Sequence, residues 1–169
     1  MASLGWDMAP PVPLVRRATA ADAGSLGRLG ALLVQEHHDF DTRRFLPATA
    51  RTPEQYASFL MTQLSDSDVV VLVAEEDDGV IGYAYGAIEG FDYMALRGPA
   101  AVLHDLIVDP ANRGRGVGRA LLNAAVEALT TQRAPRVVLS TAERNTPAQR
   151  FFERMGFRRT MVEMTRDLE

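Results

Sequence analysis

A short run of glycines and arginines lies between two apolar segments in the second half of the chain. The run reads Arg113-Gly114-Arg115-Gly116-Val117-Gly118-Arg119. Glycines let a backbone approach a ligand closely and turn several N–H groups towards one point, and a following helix adds positive potential there. These residue types at this spacing predict a binding site for a phosphate group.

Two common phosphate-binding loops do not match this run. The Walker pattern ends in Gly-Lys followed by Ser or Thr, and no such tripeptide occurs in the sequence. The dinucleotide pattern needs a third glycine three residues after the second, but that position holds Arg119 when counted from Gly114 and Gly116. A plain helix start is the remaining alternative, although two glycines in a first turn cost about 1 kcal/mol each.

The run and its surroundings resemble the acyl-coenzyme A loop of the GCN5-related N-acetyltransferase (GNAT) superfamily. That loop follows the pattern Arg/Gln-x-x-Gly-x-Gly/Ala, which Arg113, Gly116 and Gly118 match. A second stretch fits the family pattern Asn-x-x-Ala-x-x-φ-Tyr-x-x-x-Gly-Phe, and its matching residues are Asn145, Ala148, Phe151, Phe152, Gly156 and Phe157. Both motifs stand in the family's order, so the chain is identified by resemblance as a member.

The elements around these motifs indicate a protein of the α/β (α+β) class. Apolar and β-branched runs predict strands at 14–18, 69–74, 80–88, 102–108 and 136–140, with the last strands in 157–168, where Met161 and Met164 would be in the core. Capping and apolar spacing predict helices from Thr19–Asp22 to about His38, from Thr52-Pro53, from Gly116 to about Thr131, and from Thr146 to Gly156.

This order is similar to the GNAT fold, which implies a mixed central sheet of six to seven strands flanked by about four helices. Residues 1–13, which include Trp6 and Met8, carry three prolines and little periodicity, and we expect an irregular N-terminal tail there. Residues 14–169 are expected to form a single GNAT N-acetyltransferase domain, because no repeat or linker interrupts them.

Composition excludes several classes of function. The 169 residues are 47% hydrophobic and 24% charged, as in ordinary globular domains, and the net charge of −4 argues against a general nucleic-acid binder. The absence of cysteine excludes disulfides, a thiolate nucleophile and cysteine-ligated metal, and three histidines are a weak basis for a metal site. Without a long apolar run or signal-peptide features, we expect a cytoplasmic protein and no membrane partner.

The resemblance implies acyl transfer from acetyl-coenzyme A (acetyl-CoA) to an amine, by direct attack in a ternary complex. Residues 113–119, the cofactor loop, would bind the pyrophosphate through backbone N–H groups and arginine side chains. The strand end before the loop would pair with the pantetheine amides, the strand at 137–140 would splay away to open a slot, and the Val108 amide would polarise the thioester carbonyl. The cofactor-binding residues predicted in this way are Leu106, Ile107, Val108, Arg113, Gly114, Arg115, Gly116, Val117, Gly118, Arg119, Asn145 and Phe152.

The chain departs from the family pattern at Phe152. Many members have a tyrosine there that protonates the leaving thiolate, and phenylalanine has no hydroxyl. Water or a hydroxyl of Ser140, Tyr83 or Tyr85 could replace it. Alternatively no acid is needed, because a thiol with a pKa of about 8.5 is a tolerable leaving group as thiolate.

His104 is the first candidate for the general base. In polyamine-type members this strand carries Glu-Asp, with the glutamate facing the acceptor amine, and here His104 and Asp105 hold those positions. An ordinary imidazole has a pKa of about 6.5, which suits proton removal at neutral pH. Glu89, at the end of the facing strand, is the second candidate and could act through water. The alternative for His104 is a histidine in the groove wall.

The acceptor site of such a fold is built from the first helix–loop–helix and the loop before the central strand. The predicted substrate-binding residues are Glu36, His37, Asp41, Tyr85, Phe91, Tyr93 and Asp105, with His38 and Arg44 beside them. Their acidic groups would suit a cationic amine on a small molecule (a polyamine, an amino acid or an aminoglycoside-like compound) or on a protein. A solvated helix end is the alternative for each.

Two functional classes stay open at this point. One is an N-acetyltransferase, and the other is a GNAT-fold module that binds coenzyme A as a sensor without turnover, which the missing tyrosine permits. Dimers are common in the family, so a homodimer to which the termini contribute is also compatible with the resemblance.

Overall fold

The computed structural model describes residues 13–77, 79–131 and 134–168, so nearly all of the predicted tail, with Trp6 and Met8, lies outside the described residues. Five strands and four α-helices follow one another along this part of the chain. Their order is β1 (Leu14–Arg17), α1 (Ala23–Phe40), α2 (Thr52–Gln63), β2 (Val69–Glu76), β3 (Gly79–Glu89), β4 (Ala100–Val108), α3 (Val117–Thr130), β5 (Val137–Leu139) and α4 (Thr146–Arg154). Within the described residues, no helix is long and apolar enough to cross a membrane.

The strands form one mixed sheet in the order β1-β2-β3-β4-β5. The first four strands pair antiparallel, and β5 pairs parallel to β4 after the crossover through α3. This arrangement confirms the predicted α+β class, the mixed sheet and the four helices. The strand count is five within the described residues, one or two fewer than expected.

The difference lies in the C-terminal segment, residues 157–168, which contains no strand. Met161 and Met164 are 71% and 90% exposed, so their prediction as core residues is wrong. Charged side chains alternate with the apolar ones here, and they hold the segment to helices and loops by ion pairs. Glu163 pairs with Arg44, and Asp167 pairs with Arg43. Side chains, and not the backbone hydrogen bonds of a sheet, make these contacts. The alternation of apolar and polar residues that predicted a strand therefore does not form one here.

Helices cover both faces of the sheet. Leu26 and Leu29 of α1 pack with Tyr83 on one face, and Leu121 and Leu129 of α3 pack on the other. The α3 face of β3 carries glycine because there is no room for a side chain: a Cβ at Gly82 would lie 2.8 Å from the Ile107 carbonyl oxygen and 3.1 Å from the Leu121 side chain. Burying each leucine contributes about 1.5–3 kcal/mol.

Two β-bulges change which face a residue occupies. Between β2 and β3 the register shifts at Ala74 and Glu75, so Ile81 is an extra residue and joins the α3 side of the sheet, opposite to the side of Tyr83. Between β3 and β4, Tyr85 pairs with Asp105 while Gly86 pairs with Leu103, so His104 is the extra residue. A bulge re-aims a side chain in this way, and such bulges often lie next to active sites.

The helix starts follow the predicted capping chemistry in one case and depart from it in another. The Thr19 N–H donates to the Asp22 carboxylate at 2.7 Å, as the box-like spacing predicted. For α2 the cap residue is Arg51, and Thr52 lies within the first turn, where its hydroxyl accepts the Thr49 N–H at 2.8 Å. The predicted capping role of Thr52 is therefore wrong by one residue.

Asp22 gives the fold a pH dependence. The Arg16 guanidinium hydrogen-bonded to Asp22 lowers the pKa of this carboxyl to about 2. The usual aspartate pKa is about 3.9, so the unfolded chain takes up the proton first as the pH falls, and the stabilisation present above pH of about 4 is lost towards pH of about 2. We expect a loss on the order of 1 kcal/mol after solvent screening. Urea unfolding at several pH values should show a weaker acid dependence in Asp22→Asn, and identical dependence would contradict the assignment.

Candidate active site

An open strand edge lies at the centre of the sheet. β5 pairs with β4 only from Ala101↔Val137 to Leu103↔Leu139, so the remainder of β4 has no strand partner on that side within the described residues. The predicted splaying of the two strands is present. The slot that opens there is lined by Leu33, His37, Leu103, His104, Leu106, Leu139, Ser140, Thr141, Asn145, Ala148 and Phe152.

The backbone at the end of β4 presents alternate residues to this slot. The Asp109 N–H donates to the Ile81 carbonyl at 2.8 Å, and Ile107 stands in register with Tyr83. Because N–H groups alternate along a strand, those of Leu106 and Val108 point to the open edge, whereas that of Ile107 points to β3. Ile107 is 5% exposed in the core below α1 and α2, so the structure does not bring this predicted cofactor residue into the slot.

The cofactor loop connects the end of β4 to α3. Gly114 and Gly116 have φ values of +78° and +88°, and a Cβ at either position would meet nothing within 4 Å. Gly116 is the residue before the first turn of α3, and no acceptor among the described residues bonds the N–H groups of residues 114–119. A loop at a helix N-terminus, with several N–H groups that no described residue bonds, suits an anion.

The three arginines of the loop have different environments. Arg113 donates through Nε to the Val108 carbonyl at 2.9 Å and pairs with Glu36 at 2.5 Å. Arg115 pairs with Glu76 at 3.0 Å. Arg119 is exposed and has no ion pair with the described residues. Arg113 and Arg115 thus fix the loop to its neighbours, which leaves the backbone N–H groups and Arg119 for a ligand. Because Glu36 is paired with Arg113, its carboxylate is not available to bind an acceptor amine.

α4 and the segment before it form the other wall of the slot. The Asn145 side chain accepts the Ala148 N–H at 3.2 Å and so caps α4, while its amide NH₂ makes no hydrogen bond to the described residues. Phe152 packs against Phe151 and Phe157 with ring centroids 5.3 and 5.8 Å apart. Three hydroxyls were predicted as substitutes for the missing tyrosine. Of these, Ser140 lines the slot, whereas Tyr83 and Tyr85 do not.

The two predicted bases are in direct contact. His104 Nε2 lies 3.0 Å from Glu89 Oε1, and both side chains are about one-third exposed, at 36% and 37%. The imidazole stacks on the Tyr85 ring with centroids 5.0 Å apart. The bulge in β4 makes this arrangement, because it turns His104 to the same face as Tyr85. The sequence offers His104 and Glu89 as alternative bases, whereas the fold brings the two side chains into one pair.

Asp105 is an interior residue, although the sequence predicted it at the substrate. It is 7% exposed and accepts hydrogen bonds from the Tyr56 and Tyr83 hydroxyls at 2.6 and 2.9 Å. Burial raises the pKa of Asp105, and burial beside this carboxylate raises the pKa of both tyrosines above the usual value. Tyr83 is therefore a poor proton donor to the slot. Asp105, Tyr56 and Tyr83 form a buried hydrogen-bonded cluster that fixes β4 next to His104.

Tyr56→Phe tests this supporting role. The change leaves one of two hydrogen bonds to the buried Asp105 carboxylate and is expected to reduce the free energy of unfolding by about 1–3 kcal/mol. Denaturant unfolding measures the effect. Phe59→Leu, on the same helix and 46% exposed, is a control that removes a ring but no hydroxyl. A Tyr56→Phe protein as stable as the wild type would contradict the role.

The remaining predicted acceptor residues are dispersed. His37 lines the slot, and its Nδ1 lies 2.8 Å from the Leu33 carbonyl oxygen. Asp41 accepts the N–H groups of Arg43 and Arg44 at the end of α1. Phe91 and Tyr93 stack on each other at 6.2 Å and are 69% and 76% exposed. His37 and Tyr85 thus join His104, while Asp41, Phe91 and Tyr93 make no described contact with it.

Two residues at this site, Tyr56 and Arg97, are not predicted by the sequence motifs. An aspartate inside a buried strand requires hydroxyl or cationic partners, and this requirement is the signal in the sequence that points to a residue such as Tyr56. Arg97 was not singled out, although it is the single cation of the loop at 90–99 and pairs with Glu89 at 2.7 Å. Both contacts depend on pairing across elements, which the sequence does not display.

Sequence comparison finds similarity to several named acetyltransferases. The model of the Acetyltransferase (GNAT) family matches residues 32–157. A glucosamine 6-phosphate N-acetyltransferase of Trypanosoma brucei brucei is 38% identical over 74 residues, which are 43% of this chain and 48% of the relative. A mycothiol acetyltransferase of Thermobispora bispora is 33% identical over 96 residues, 54% of this chain and 31% of the relative. The chain thus spans about half, or less, of the length of these relatives.

Solved structures share the fold. The tetramutant of the BH1408 protein from Bacillus halodurans superposes with a TM-score of 0.79 at 21% identity, covering 92% of this chain and 99% of that one. A predicted acetyltransferase from Clostridium acetobutylicum, solved with acetyl-CoA, superposes with a TM-score of 0.68 at 18% identity, covering 90% and 95%. These likenesses concern the fold, and the family match spans about three-quarters of the sequence. The chain therefore belongs to the acetyltransferase (GNAT) family.

Proposed function

We propose that this protein is an N-acetyltransferase, which moves the acetyl group of acetyl-CoA to a primary amine by direct attack in a ternary complex. The observation that carries the proposal is the unpaired edge of β4 between the cofactor loop and the His104–Glu89 pair. Family membership and the fold shared with a structure that contains acetyl-CoA support it.

The residues of the slot fit the parts of acetyl-CoA. Free N–H groups at residues 114–119 and the exposed Arg119 suit the pyrophosphate, and the open space above Gly114 and Gly116 admits it. The edge of β4 can pair with the pantetheine amides as a further strand would. The amide NH₂ of Asn145, which bonds none of the described residues, suits a carbonyl on the same arm. Acetyl-CoA would supply an activated thioester, and the protein would supply orientation and proton transfer.

The chemistry requires a donor for the thioester oxygen and an acceptor for the amine proton. The Val108 N–H points to the open edge and is the donor we assign to the oxygen. His104 takes a proton from the attacking amine as the C–N bond forms and the C–S bond breaks, and Glu89 balances the charge that the imidazole gains. The leaving thiolate takes its proton from water or from Ser140, because Phe152 has none to give.

The acceptor is a primary amine on a small molecule or a protein. Two curated relatives bear names of small-molecule acetyltransferases, which favours a small-molecule acceptor. The carboxylates near the slot are already engaged: Glu36 by Arg113, Asp105 by two tyrosines, and Glu89 by His104 and Arg97. This compensation argues for an acceptor with a single amine rather than a polyamine, whose several charges need free carboxylates.

A thiol-release assay tests the proposal. The protein is incubated with acetyl-CoA and a panel of primary amines that includes polyamines, amino acids, amino sugars and a lysine peptide, and free thiol is followed with time. Release that depends on one class of amine is the expected result. If acetyl-CoA binds but no amine in the panel raises thiol release, the coenzyme A sensor without turnover replaces the enzyme.

A further inference from the structure

Arg97 is held in place by the short loop between β3 and β4. The backbone groups of Asp92 and Arg97 bond each other in both directions at 2.8 Å, which closes the loop. The Asp92 carboxylate accepts the N–H groups of Met94 and Ala95 at 3.0 Å, so the turn inside the bridge is also fixed. The Arg97 side chain is 14% exposed, which is low for an arginine on a loop. The loop therefore presents one guanidinium in a defined place.

That guanidinium is directed at Glu89, and Glu89 is directed at His104. Arg97 donates to Glu89 Oε2 at 2.7 Å, while Glu89 Oε1 lies 3.0 Å from His104 Nε2. The two carboxylate oxygens thus have separate partners, one cationic and one imidazole. Asp92 lies 3.9 Å from Arg97, too far for a hydrogen bond, so Glu89 is the main partner of this arginine.

The geometry points to Arg97 as a positioning residue that fixes which nitrogen of His104 acts as the base. A carboxylate held by Arg97 is an acceptor only, so neutral His104 must carry its proton on Nε2, and Nδ1 is left unprotonated. The amine proton would then pass to Nδ1, after which both ring nitrogens bear protons and Glu89 balances the charge. The role of Nδ1 as the base rests on the proposed function, whereas the tautomer of the His104 ring is independent of it.

Polar and charged groups from several elements surround the His104 imidazole. Glu89 and Tyr85 come from β3, and Asp105 is its neighbour on β4. His37 of α1 lines the same slot. The Asp105 carboxylate is bonded to two tyrosine hydroxyls. Among the described residues, Glu89 is the carboxylate in direct contact with the His104 ring, and it is also bonded to Arg97. Loss of Arg97 would leave that carboxylate less compensated and freer to move.

The tautomer can be measured without any activity. The chain has three histidines, so nitrogen NMR of histidine-labelled protein resolves His104 once His104→Ala identifies its signals. We expect the Nε2–H tautomer in the wild type, and a mixture of tautomers in Arg97→Gln and in Glu89→Ala. Arg159→Gln, which removes an exposed ion pair with Glu153, is the matched control and should leave the tautomer unchanged. An Nδ1–H tautomer in the wild type, or no change in Arg97→Gln, overturns the inference.

Kinetics of the same variants test the catalytic consequence. Arg97→Gln should lower kcat roughly 10- to 100-fold with KM for acetyl-CoA unchanged, and Arg97→Lys should recover part of the loss. An Arg97→Gln enzyme with the kcat of the wild type refutes the positioning role. If the wild type turns over no amine, the proposed function fails, whereas the NMR result still decides the tautomer.

Discussion

Replacing His104 by alanine is expected to lower kcat at pH 7 by about 10²- to 10⁴-fold, the usual contribution of a general base. The affinity for acetyl-CoA should change little, because His104 lies on the sheet face that carries Tyr85 of β3, whereas the cofactor loop follows the end of β4. Steady-state kinetics with the preferred amine give kcat, and calorimetric titration gives the dissociation constant for the cofactor.

His38→Ala is the matched control for this experiment. His38 is a histidine of the same helix end as His37, but its Nδ1 bonds the Phe45 carbonyl at 2.8 Å and it does not line the slot. Its loss should leave kcat within a few-fold of the wild type. A His104→Ala enzyme with unchanged turnover would remove His104 from the mechanism, and Glu89 acting through water would then be the remaining base.

Replacing Gly116 by leucine is expected to weaken acetyl-CoA binding by at least about 100-fold. At φ of +88° an L-residue costs about 1–2 kcal/mol, and the new side chain would extend into the space that the loop leaves open. Blocking even one or two charge-assisted hydrogen bonds from the loop costs about 1.5–3 kcal/mol each. Calorimetric titration with acetyl-CoA measures the loss directly.

Backbone strain and steric blocking are separated by Gly156→Leu. Gly156 has φ of +89°, and a Cβ at this position would also meet nothing within 4 Å, but this glycine ends α4 instead of joining the cofactor loop. Both variants should therefore lose similar free energy of unfolding, while Gly116→Leu alone should lose the cofactor. Equal binding by the two variants would show that the loop does not hold the pyrophosphate.

The sequence was sufficient for features that are local in the chain. The turns of the cofactor loop follow from Gly114 and Gly116, whose positive φ values are the conformations that glycine permits. The helical start after Thr19 follows from the Asp22 side chain, which accepts the Thr19 N–H, and the helix predicted from Thr146 starts there with Asn145 as its cap. In each case the decisive contact lies within one turn, where spacing alone specifies it.

Features that depend on pairing between distant segments could not be predicted. Whether His104 and Asp105 share a face depends on the bulge opposite Tyr85, and a shift of one residue in register reverses the face of each side chain beyond it. The contact of Arg97 with Glu89 needs the loop between them to fold back, and the partners of Asp105 come from α2 and β3. The strand prediction for residues 157–168 was wrong for the same reason, because the ion pairs of this segment with Arg43 and Arg44 join residues more than 100 positions apart.

A crystal structure with acetyl-CoA and an unreactive amine analogue tests the central claim most directly. The pyrophosphate should contact the N–H groups of residues 114–119, and the thioester oxygen should lie about 2.7–3.1 Å from the Val108 nitrogen. The amine should lie on the His104 side of the thioester, within hydrogen-bond reach of Nδ1. A cofactor bound away from the open edge of β4, or a thioester pointing away from both Val108 and His104, would contradict the proposed mechanism.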